Sequence, residues 1–402
     1  MKADVVIMGL GYIGLPTAVL IASNKTNVIG VDINSKVVDA INLGNTHIIE
    51  PDLKKNLSQV IKKGLLIAKL KPSIASTYII VVPTPFKKNK TADISYIESA
   101  TNSIIPLLKK NDLYIIESTV PVGITEKMRQ LIYNKRPDLI NELFIAYCPE
   151  RVLPGNVFHE LIYNDRVIGG INNKSTNKAI KFYSKYVKGN LHPTNSRIAE
   201  MCKLVENSSR DVQIAFANEL SLICDRANIN VWNLINLANK HPRVNILNPS
   251  CGVGGHCIAV DPYFIVSDYP EETKLISMSR KINDYKPNWC INKIKEVINK
   301  FQKRENRKPV TAYLGLSFKP NIDDLRESPA NYIVESMLEN ENESYNYVVE
   351  PNLKFSDKFK LSSLEETMLK SDIIVILVAH NEFRSLKMSK EKIVLNFCGI
   401  DI

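Results

Sequence analysis

A cysteine that closes a glycine run is the residue in this 402-residue chain best suited to covalent chemistry. The run is Gly252-Val253-Gly254-Gly255-His256-Cys257, and Asp261 follows four positions later. Glycines that dense let backbone approach a ligand where a Cβ would collide, so the run reads as the floor of a pocket that presents the thiol. A modest fall in pKa turns such a thiol into a thiolate nucleophile near neutrality. The bland alternative is a tight turn ending in an inert, buried cysteine, a common fate of free thiols. Lys203 and Asn207, four apart in a segment of helical pattern, project from one face. A cation and an amide donor together can stabilise a developing oxyanion, although two such residues are also ordinary on a solvated helix surface. Zinc held by Cys251, His256 and Cys257 is disfavoured and no metal is expected: adjacent His and Cys are poorly placed for one tetrahedral ion, and no fourth ligand is evident.

These groups need elements to position them, and the first is at the N-terminus. The strand-like Asp4 to Met8 runs into Gly9-Leu10-Gly11-Tyr12-Ile13-Gly14 and then into a helix-compatible segment; a second apolar stretch, Val28 to Val31, ends at Asp32. Strand before, helix after and an acid beyond make this the dinucleotide-binding fingerprint rather than a chance glycine pattern. Gly9 permits the tight turn, Gly11 lets backbone approach a pyrophosphate, and Gly14 lets helix and strand pack closely. Pro16 is tolerated in the first turn of that helix, whose N-terminus offers unpaired amides to phosphate. A carboxylate at Asp32 accepts from ribose hydroxyls and repels a 2′-phosphate, which favours NAD over NADP.

Further apolar strands, Tyr78 to Val82, Leu113 to Ile116 and Phe144 to Tyr147, alternate with polar or helical segments. That alternation predicts a parallel doubly wound sheet, with ligands beyond the carboxyl ends of its strands. Three loops fall there: Pro83-Thr84-Pro85, Glu117 to Gly123 and Cys148-Pro149-Glu150-Arg151. From Thr194 to His241 there is neither glycine nor proline, and apolar residues such as Val212, Ala215, Phe216, Leu220 and Ile223 recur at helical spacing. A long helix linking two domains is predicted, with another helix near Val231 to Asn239. Strand-like segments at Val310 to Leu314, Tyr347 to Val349 and Asp372 to Val378 open a further region. The expected fold class is α/β, with two Rossmann-like doubly wound domains joined by a long central helix. Residues 1–193 form the dinucleotide domain, 194–301 a central helical domain with the cysteine loop, and 302–402 a smaller α/β domain.

Hydrophobic content of 45% and charged content of 23% describe an ordinary globular chain. The first twenty residues lack the pattern of a signal peptide and no later run approaches membrane-spanning length, so a cytoplasmic protein without a membrane partner is expected. Seven scattered cysteines suit a reducing compartment. The net charge of +10 is dispersed among acids, which argues against a nucleic-acid footprint.

Seven ordered stretches carry a resemblance that covers nearly the whole chain: Gly9 to Gly14, Val82-Pro83-Thr84-Pro85, Glu117-Ser118-Thr119, Cys148 to Arg151, Ala199-Glu200-Met201-Cys202-Lys203, Gly252 to Asp261, and Phe318 to Pro329. On these the chain resembles the UDP-glucose/GDP-mannose dehydrogenase family of nucleotide-sugar 6-dehydrogenases. The resemblance implies a four-electron oxidation that consumes two NAD⁺. The sugar C6 alcohol becomes an aldehyde, Cys257 captures it as a thiohemiacetal, a second oxidation leaves a thioester, and water releases the acid. It implies that Lys203 and Asn207 stabilise the oxyanion, that Asp261 and Thr119 position a water for proton removal, and that Glu150 serves thioester hydrolysis. Gly9, Gly11, Tyr12, Ile13, Gly14, Asp32, Thr84 and Thr119 are its cofactor-side residues. On the substrate side it places Glu150, Arg151, Lys203, Asn207 and Gly254, with Arg243 reaching sugar hydroxyls, in some members across a subunit boundary. Lys319 and Arg326 are candidates for the uridine diphosphate end; Asp323 and Asp324 could equally be ion-pair partners of Arg326.

Within the family, His241 to Leu247 and Gly255 to Pro262 most resemble members that oxidise UDP-N-acetyl-D-mannosamine. UDP-N-acetylglucosamine 6-dehydrogenases share the Gly-Gly-His-Cys wording, whereas UDP-glucose enzymes usually carry a lysine where this chain has Val260. The resemblance further implies a homodimer or larger assembly joined through the central helices, with a product destined for a surface polysaccharide. Two departures stand out: Cys251, a second thiol where relatives usually have a small residue or proline, and Val394 to Gly399, without the basic residue relatives often carry. A two-electron hydroxyacid dehydrogenase would give Cys257 no role and yield one NADH per substrate. A nucleotide-sugar or NAD-binding regulator on a decayed scaffold fits poorly with the intact set of Cys257, Lys203, Asn207, Asp261, Thr119 and Glu150.

Overall fold

The structure, a computed structural model, describes residues 2–48, 50–152, 155–339, 345–384 and 386–401. The chain packs as two compact units, Met1–Glu206 and Asn207–Ile402.

The first unit opens with β1 (Val5–Met8), α1 (Gly14–Ser23), β2 (Val28–Val31), α2 (Ser35–Asn42), α3 (Leu53–Lys62), β3 (Leu66–Lys69) and β4 (Thr77–Ile80). It continues through α4 (Ser95–Ile104), β5 (Leu113–Ile116), α5 (Ile124–Lys135), β6 (Phe144–Tyr147) and α6 (Val157–Tyr163). Strand β7 (Arg166–Gly170), α7 (Asn173–Tyr183) and β8 (Leu191–Asn195) complete it, ahead of the 32-residue α8 (Ser196–Ala227). One sheet of order β3-β2-β1-β4-β5-β6-β7-β8 results. Strands β1, β2, β4 and β5 are buried throughout, which is why they read as unbroken apolar runs. Their alternate residues feed two cores: Val5, Ile7, Ile79 and Ile115 enter one, while Val6, Met8, Ile80 and Ile116 enter the other.

The strands named from the sequence in this unit all pair in parallel; the one reversal among the described residues involves a strand the sequence did not reveal. β7 runs antiparallel to β6, and only two pairs connect them, Ala146 with Gly170 and Tyr147 with Gly169. Alternating apolar segments carry no strand direction, so the reversal was not readable from pattern.

The switch point lies between β1 and β4, the neighbours from which the strand order runs outward in both directions. There the dinucleotide turn packs against β4. Gly9 has φ +99°, and a Cβ on it would lie 2.3 Å from the Val81 carbonyl oxygen. A Cβ on Gly14 would lie 1.9 Å from the carbonyl oxygen of Gly9.

The second unit holds the rest of α8, then α9 (Val231–Ala238), α10 (Asp261–Asp268) and α11 (Lys274–Glu305). It continues through β9 (Thr311–Leu314), α12 (Pro329–Leu338), β10 (Asn346–Val349), α13 (Leu364–Lys370), β11 (Ile373–Ile376) and β12 (Ile393–Asn396). Its sheet is wholly parallel, in the order β10-β9-β11-β12. Helix α11, as long as α8, was not singled out in the sequence because Pro287 interrupts its pattern. Polar rungs join the two: Asp211 with Arg280 at 2.6 Å, Asn218 with Asn283 at 2.9 Å, Ser221 with Lys286 at 2.6 Å and Asp225 with Lys293 at 3.0 Å. The polar face of α8 is therefore its buried face here. Phe216 and Ile223, two of the apolar residues whose spacing predicted the helix, are 51% and 58% exposed. Among the described residues no helix is long and apolar enough to cross a membrane.

Candidate functional site

In the first unit, the dinucleotide turn and β2 meet through Asp32. Its Oδ2 accepts from the Leu10 amide at 3.1 Å and its Oδ1 from the Asn34 amide at 2.9 Å, so the carboxylate is oriented at the end of β2. A Cβ on Gly11 would meet nothing within 4 Å, unlike those on Gly9 and Gly14. The turn thus has the open side that a pyrophosphate needs, beside an acid suited to a ribose, and these residues fit the cofactor. Tyr12 and Ile13 lie on the same turn. His47, which the sequence reading passed over, stands near Asp32; partial burial lowers its pKa against the opposing pull of that carboxylate. Nothing in the linear sequence marked it, because it lies 15 positions beyond Asp32. Replacing Asp32 by Ala is expected to weaken NAD binding by about tenfold or more, the loss of charge-assisted bonds to a ribose. Titration calorimetry checks this, and an unchanged Kd would remove the ribose role.

Three loops at the carboxyl ends of β4, β5 and β6 form a second cluster in this unit. Thr84 Oγ1 donates to the Thr119 carbonyl at 2.6 Å, which ties the loop after β4 to the loop after β5. Glu200, in the first turns of α8, accepts from the amides of Gly123 at 2.6 Å and Thr125 at 2.7 Å, where α5 begins. Its burial raises the carboxyl pKa, and those amides oppose the shift. One turn later comes Lys203, so Glu200 anchors the helix segment that presents the lysine.

Glu150 lies on the loop after β6 and accepts from the Val152 amide. Burial pushes its carboxyl up to about 7; Lys203 is foremost among the groups pulling it back, followed by Arg166 and the Val152 amide. Behind that loop is a buried network the sequence did not reveal. Arg166 Nη1 lies 3.5 Å from Glu117 Oε1 and 3.8 Å from Cys148 Sγ, and Tyr183 donates its hydroxyl to Glu117 at 2.6 Å. Burial drives the Cys148 thiol up to about 11, which makes it an inert neighbour of Glu150. Arg151 is committed to protein: its guanidinium grips Glu206 at 2.7 and 3.1 Å and the Asp165 carbonyl at 3.2 Å.

In the second unit, a tight turn joins the proposed nucleophile to an acid. The Cys257 carbonyl accepts from the amides of Val260 at 2.9 Å and Asp261 at 2.8 Å, and Asp261 opens α10. Asn207 Nδ2 donates to Asp261 Oδ2 at 2.5 Å, so the structure brings these two together. Cys257 is half-buried, whereas the Asp261 side chain is buried.

The glycine run has a different explanation from the one its composition suggested. Cβ atoms on Gly254 would meet the Glu327 carbonyl oxygen at 2.5 Å and Phe318 Cβ at 2.7 Å; on Gly255, the Phe318 ring at 2.8 Å; on Gly252, Pro329 at 2.8 Å. The missing side chains make room for the segment 318–329 rather than only for a ligand. The Gly255 amide also donates to the Arg326 carbonyl at 3.0 Å. Cys251 faces away from this chemistry, in a buried core with Cys290 and Phe397; its thiol donates to the Leu377 carbonyl at 3.6 Å, and burial raises its pKa far above the usual value. Among the described residues no group of three or more His, Cys, Asp or Glu is placed to hold a metal.

Arg243 and Lys319 are exposed. Arg326 is exposed as well and pairs with Asp324 at 2.6 Å, which decides between the two acids that the sequence offered. Burial works the other way, yet Arg326 holds the Asp324 carboxyl below the usual range.

Sequence models of the UDP-glucose/GDP-mannose dehydrogenase family match residues 3–187 as its NAD binding domain, 197–285 as its central domain and 312–400 as its UDP binding domain. The UDP-N-acetyl-D-mannosamine dehydrogenase of Campylobacter jejuni is 50% identical, over 98% of this chain and 98% of that protein. The NDP-N-acetyl-D-galactosaminuronic acid dehydrogenase of Ralstonia nicotianae is 47% identical, over 98% and 95% respectively. A solved UDP-D-ManNAc dehydrogenase from Pyrococcus horikoshii superposes with a TM-score of 0.87 at 38% identity, covering 99% of this chain and 96% of that one.

Proposed function

Because the chain belongs to the UDP-glucose/GDP-mannose dehydrogenase family, we propose that it oxidises UDP-N-acetyl-D-mannosamine at C6 to the uronic acid through a thioester on Cys257. The observation that carries the reaction class is the turn from Cys257 into Asp261, with the Asn207 amide bonded to that carboxylate. Gly9 to Gly14 and Asp32 would hold NAD⁺, which would supply the electron acceptor for both oxidations.

The remaining steps are the work of side chains. The Cys257 thiolate adds to the C6 aldehyde, and the tetrahedral adduct keeps the half-oxidised sugar in place. An amide carries two N–H donors, so Asn207 spends one on Asp261 and keeps the other for the C6 oxygen, next to the charge of Lys203. Asp261 orients the water that removes the first proton, a role that the family resemblance extends to Thr119. Glu150, with a pKa of about 7, is near half ionisation at neutral pH, where a general base for thioester hydrolysis works best. Arg243 contacts sugar hydroxyls, and Lys319 and Arg326 receive the diphosphate. Residues 1–193, 194–301 and 302–402 are the dinucleotide, cysteine-loop and nucleotide-sugar parts of the enzyme.

The same reading includes a cytoplasmic homodimer joined through α8. Ile198, Val205, Phe216 and Ile223 are all exposed, and their spacing returns each to one face of a helix of 3.6 residues per turn. An apolar stripe that long is a surface for a second copy.

The relative from Ralstonia nicotianae supports a second reading, an N-acetylgalactosamine substrate. The test offers UDP-N-acetylmannosamine, UDP-N-acetylglucosamine, UDP-N-acetylgalactosamine and UDP-glucose separately with NAD⁺ and counts NADH per sugar. About two NADH per UDP-N-acetylmannosamine are expected, as a covalent two-stage oxidation requires. One NADH per sugar would restore the two-electron alternative, and preference for the galactosamine sugar would favour the second reading.

A further inference from the structure

At the carboxyl ends of β9, β10 and β11, a buried ion-and-imidazole pair holds one loop from two sides. Glu350 follows β10 and His380 lies beyond β11; both are fully enclosed, with Glu350 Oε2 3.0 Å from His380 Nε2. The same Glu350 oxygen accepts from the amides of Leu316 at 2.7 Å and Ser317 at 3.1 Å, at the start of the loop that leaves β9. His380 Nδ1 accepts from the Asn321 amide at 2.9 Å, farther along that loop, so the ring's proton sits on Nε2 and points at Glu350. Asn352 Nδ2 braces both members, 3.2 Å from Glu350 Oε1 and 3.0 Å from His380 Nδ1.

A charge removed from water costs several kcal/mol unless its bonds are satisfied, by order of magnitude. This one is spent on two backbone amides and an imidazole, and what those fix is a single residue. Lys319, exposed, stands between the anchored Ser317 and Asn321, and its carbonyl accepts from Ser317 Oγ at 2.8 Å. The loop then continues through Phe318 and Arg326 onto Gly254 and Gly255 of the cysteine loop, and Ser328 Oγ closes it by donating to the Leu316 carbonyl at 2.6 Å.

We propose that His380 and Glu350 are positioning residues for the nucleotide end of the substrate: they hold the 316–321 loop so that Lys319 meets the diphosphate while the same segment braces the loop of Cys257. The proposal rests on the reading of this unit as a nucleotide-binding domain, and neither residue touches the reacting carbon. Strand order places the pair correctly for that task, because β9 and β11 flank the crevice where ligands of parallel sheets bind.

The test compares His380→Leu, which removes donor and acceptor at similar volume, with His380→Gln, which restores both, and with Asn352→Ala, which opens no buried space. For His380→Leu, the Kd for UDP and the KM for the nucleotide sugar are expected to rise about tenfold, the worth of the lost buried bonds. The KM for NAD⁺ stays within about twofold, since no bond is lost at the dinucleotide turn. Gln recovers most of the loss, and Asn352→Ala costs about threefold. Should His380→Leu fail to fold, the other two carry the comparison. An unchanged Kd for UDP in all three would overturn the proposal. So would a Gln variant no better than Leu, with losses that simply track melting temperature. Calorimetry with UDP alone needs no turnover, so a wild-type chain that binds UDP yet oxidises no offered sugar defeats the proposed reaction and leaves this comparison standing.

Discussion

Cys257→Ser lowers turnover to the acid by about 10³-fold or more while NAD⁺ binds as in the wild type, as expected when a covalent nucleophile is lost and remote binding is not. A serine hydroxyl has the same reach, but its pKa lies far above that of a thiol, so little of it is ionised near neutrality. No sulfur then holds the half-oxidised sugar, and no thioester forms for water to cleave. NAD binding is spared because the substitution leaves the dinucleotide turn of Gly9, Gly11 and Asp32 untouched. The measurement pairs NADH production with intact-mass spectrometry of wild-type protein quenched during turnover. Undiminished turnover by the serine variant, or a wild-type adduct found on another residue, would end the nucleophile assignment. Cys251 is the useful internal contrast: it is sealed in a core against Leu377, and its thiol is pushed far from ionisation.

Lys203→Ala lowers kcat by about 10²- to 10³-fold, the usual worth of one preorganised group at a developing oxyanion. It should also move the pH profile, and the sign follows from Glu150. Hydrolysis needs the ionised carboxylate, so activity rises with pH through the Glu150 pKa, which burial sets at about 7. The positive charge of Lys203 does most to pull that pKa down. Without it the carboxyl holds its proton to higher pH, and the acid limb of the kcat profile shifts alkaline. Lys203→Arg keeps the charge and so keeps the limb near its wild-type position, although turnover falls because a guanidinium does not reproduce the ammonium's point contact. An acid limb that stays put, or moves to lower pH, in Lys203→Ala would show that Glu150 is not the titrating base.

Both predictions join residues that the sequence suggested separately and that folding connects. Lys203 was legible as a helix-face cation, but its anchor Glu200 reaches amides 77 and 75 positions away. Glu150 was legible as an acid beside a proline. The Arg166, Glu117 and Tyr183 network behind it was not, because these residues come from β7, the end of β5 and α7, and no periodicity ties them together. Helix α8 was legible in extent but not in orientation: its polar rungs to α11 are inside, and Phe216 and Ile223 are outside. Apolar spacing reveals that a helix has two faces; which one is covered depends on what packs there.

The amino-acid order alone determined the dinucleotide turn, the parallel strands that flank it and the identity of the thiol with its acid four positions on, because each is written in contiguous residues whose local geometry is their chemistry. Only the tertiary structure decided what the glycines beside Cys257 are for. A missing Cβ looks the same in sequence whether it yields space to a ligand or to protein, and here Phe318, Glu327 and Pro329 occupy that space. Tertiary packing also decided that Asn207 meets Asp261 and that His380 meets Glu350, pairs separated by 54 and 30 positions. Hydrogen bonds select partners by distance and angle in space, and a linear pattern holds neither.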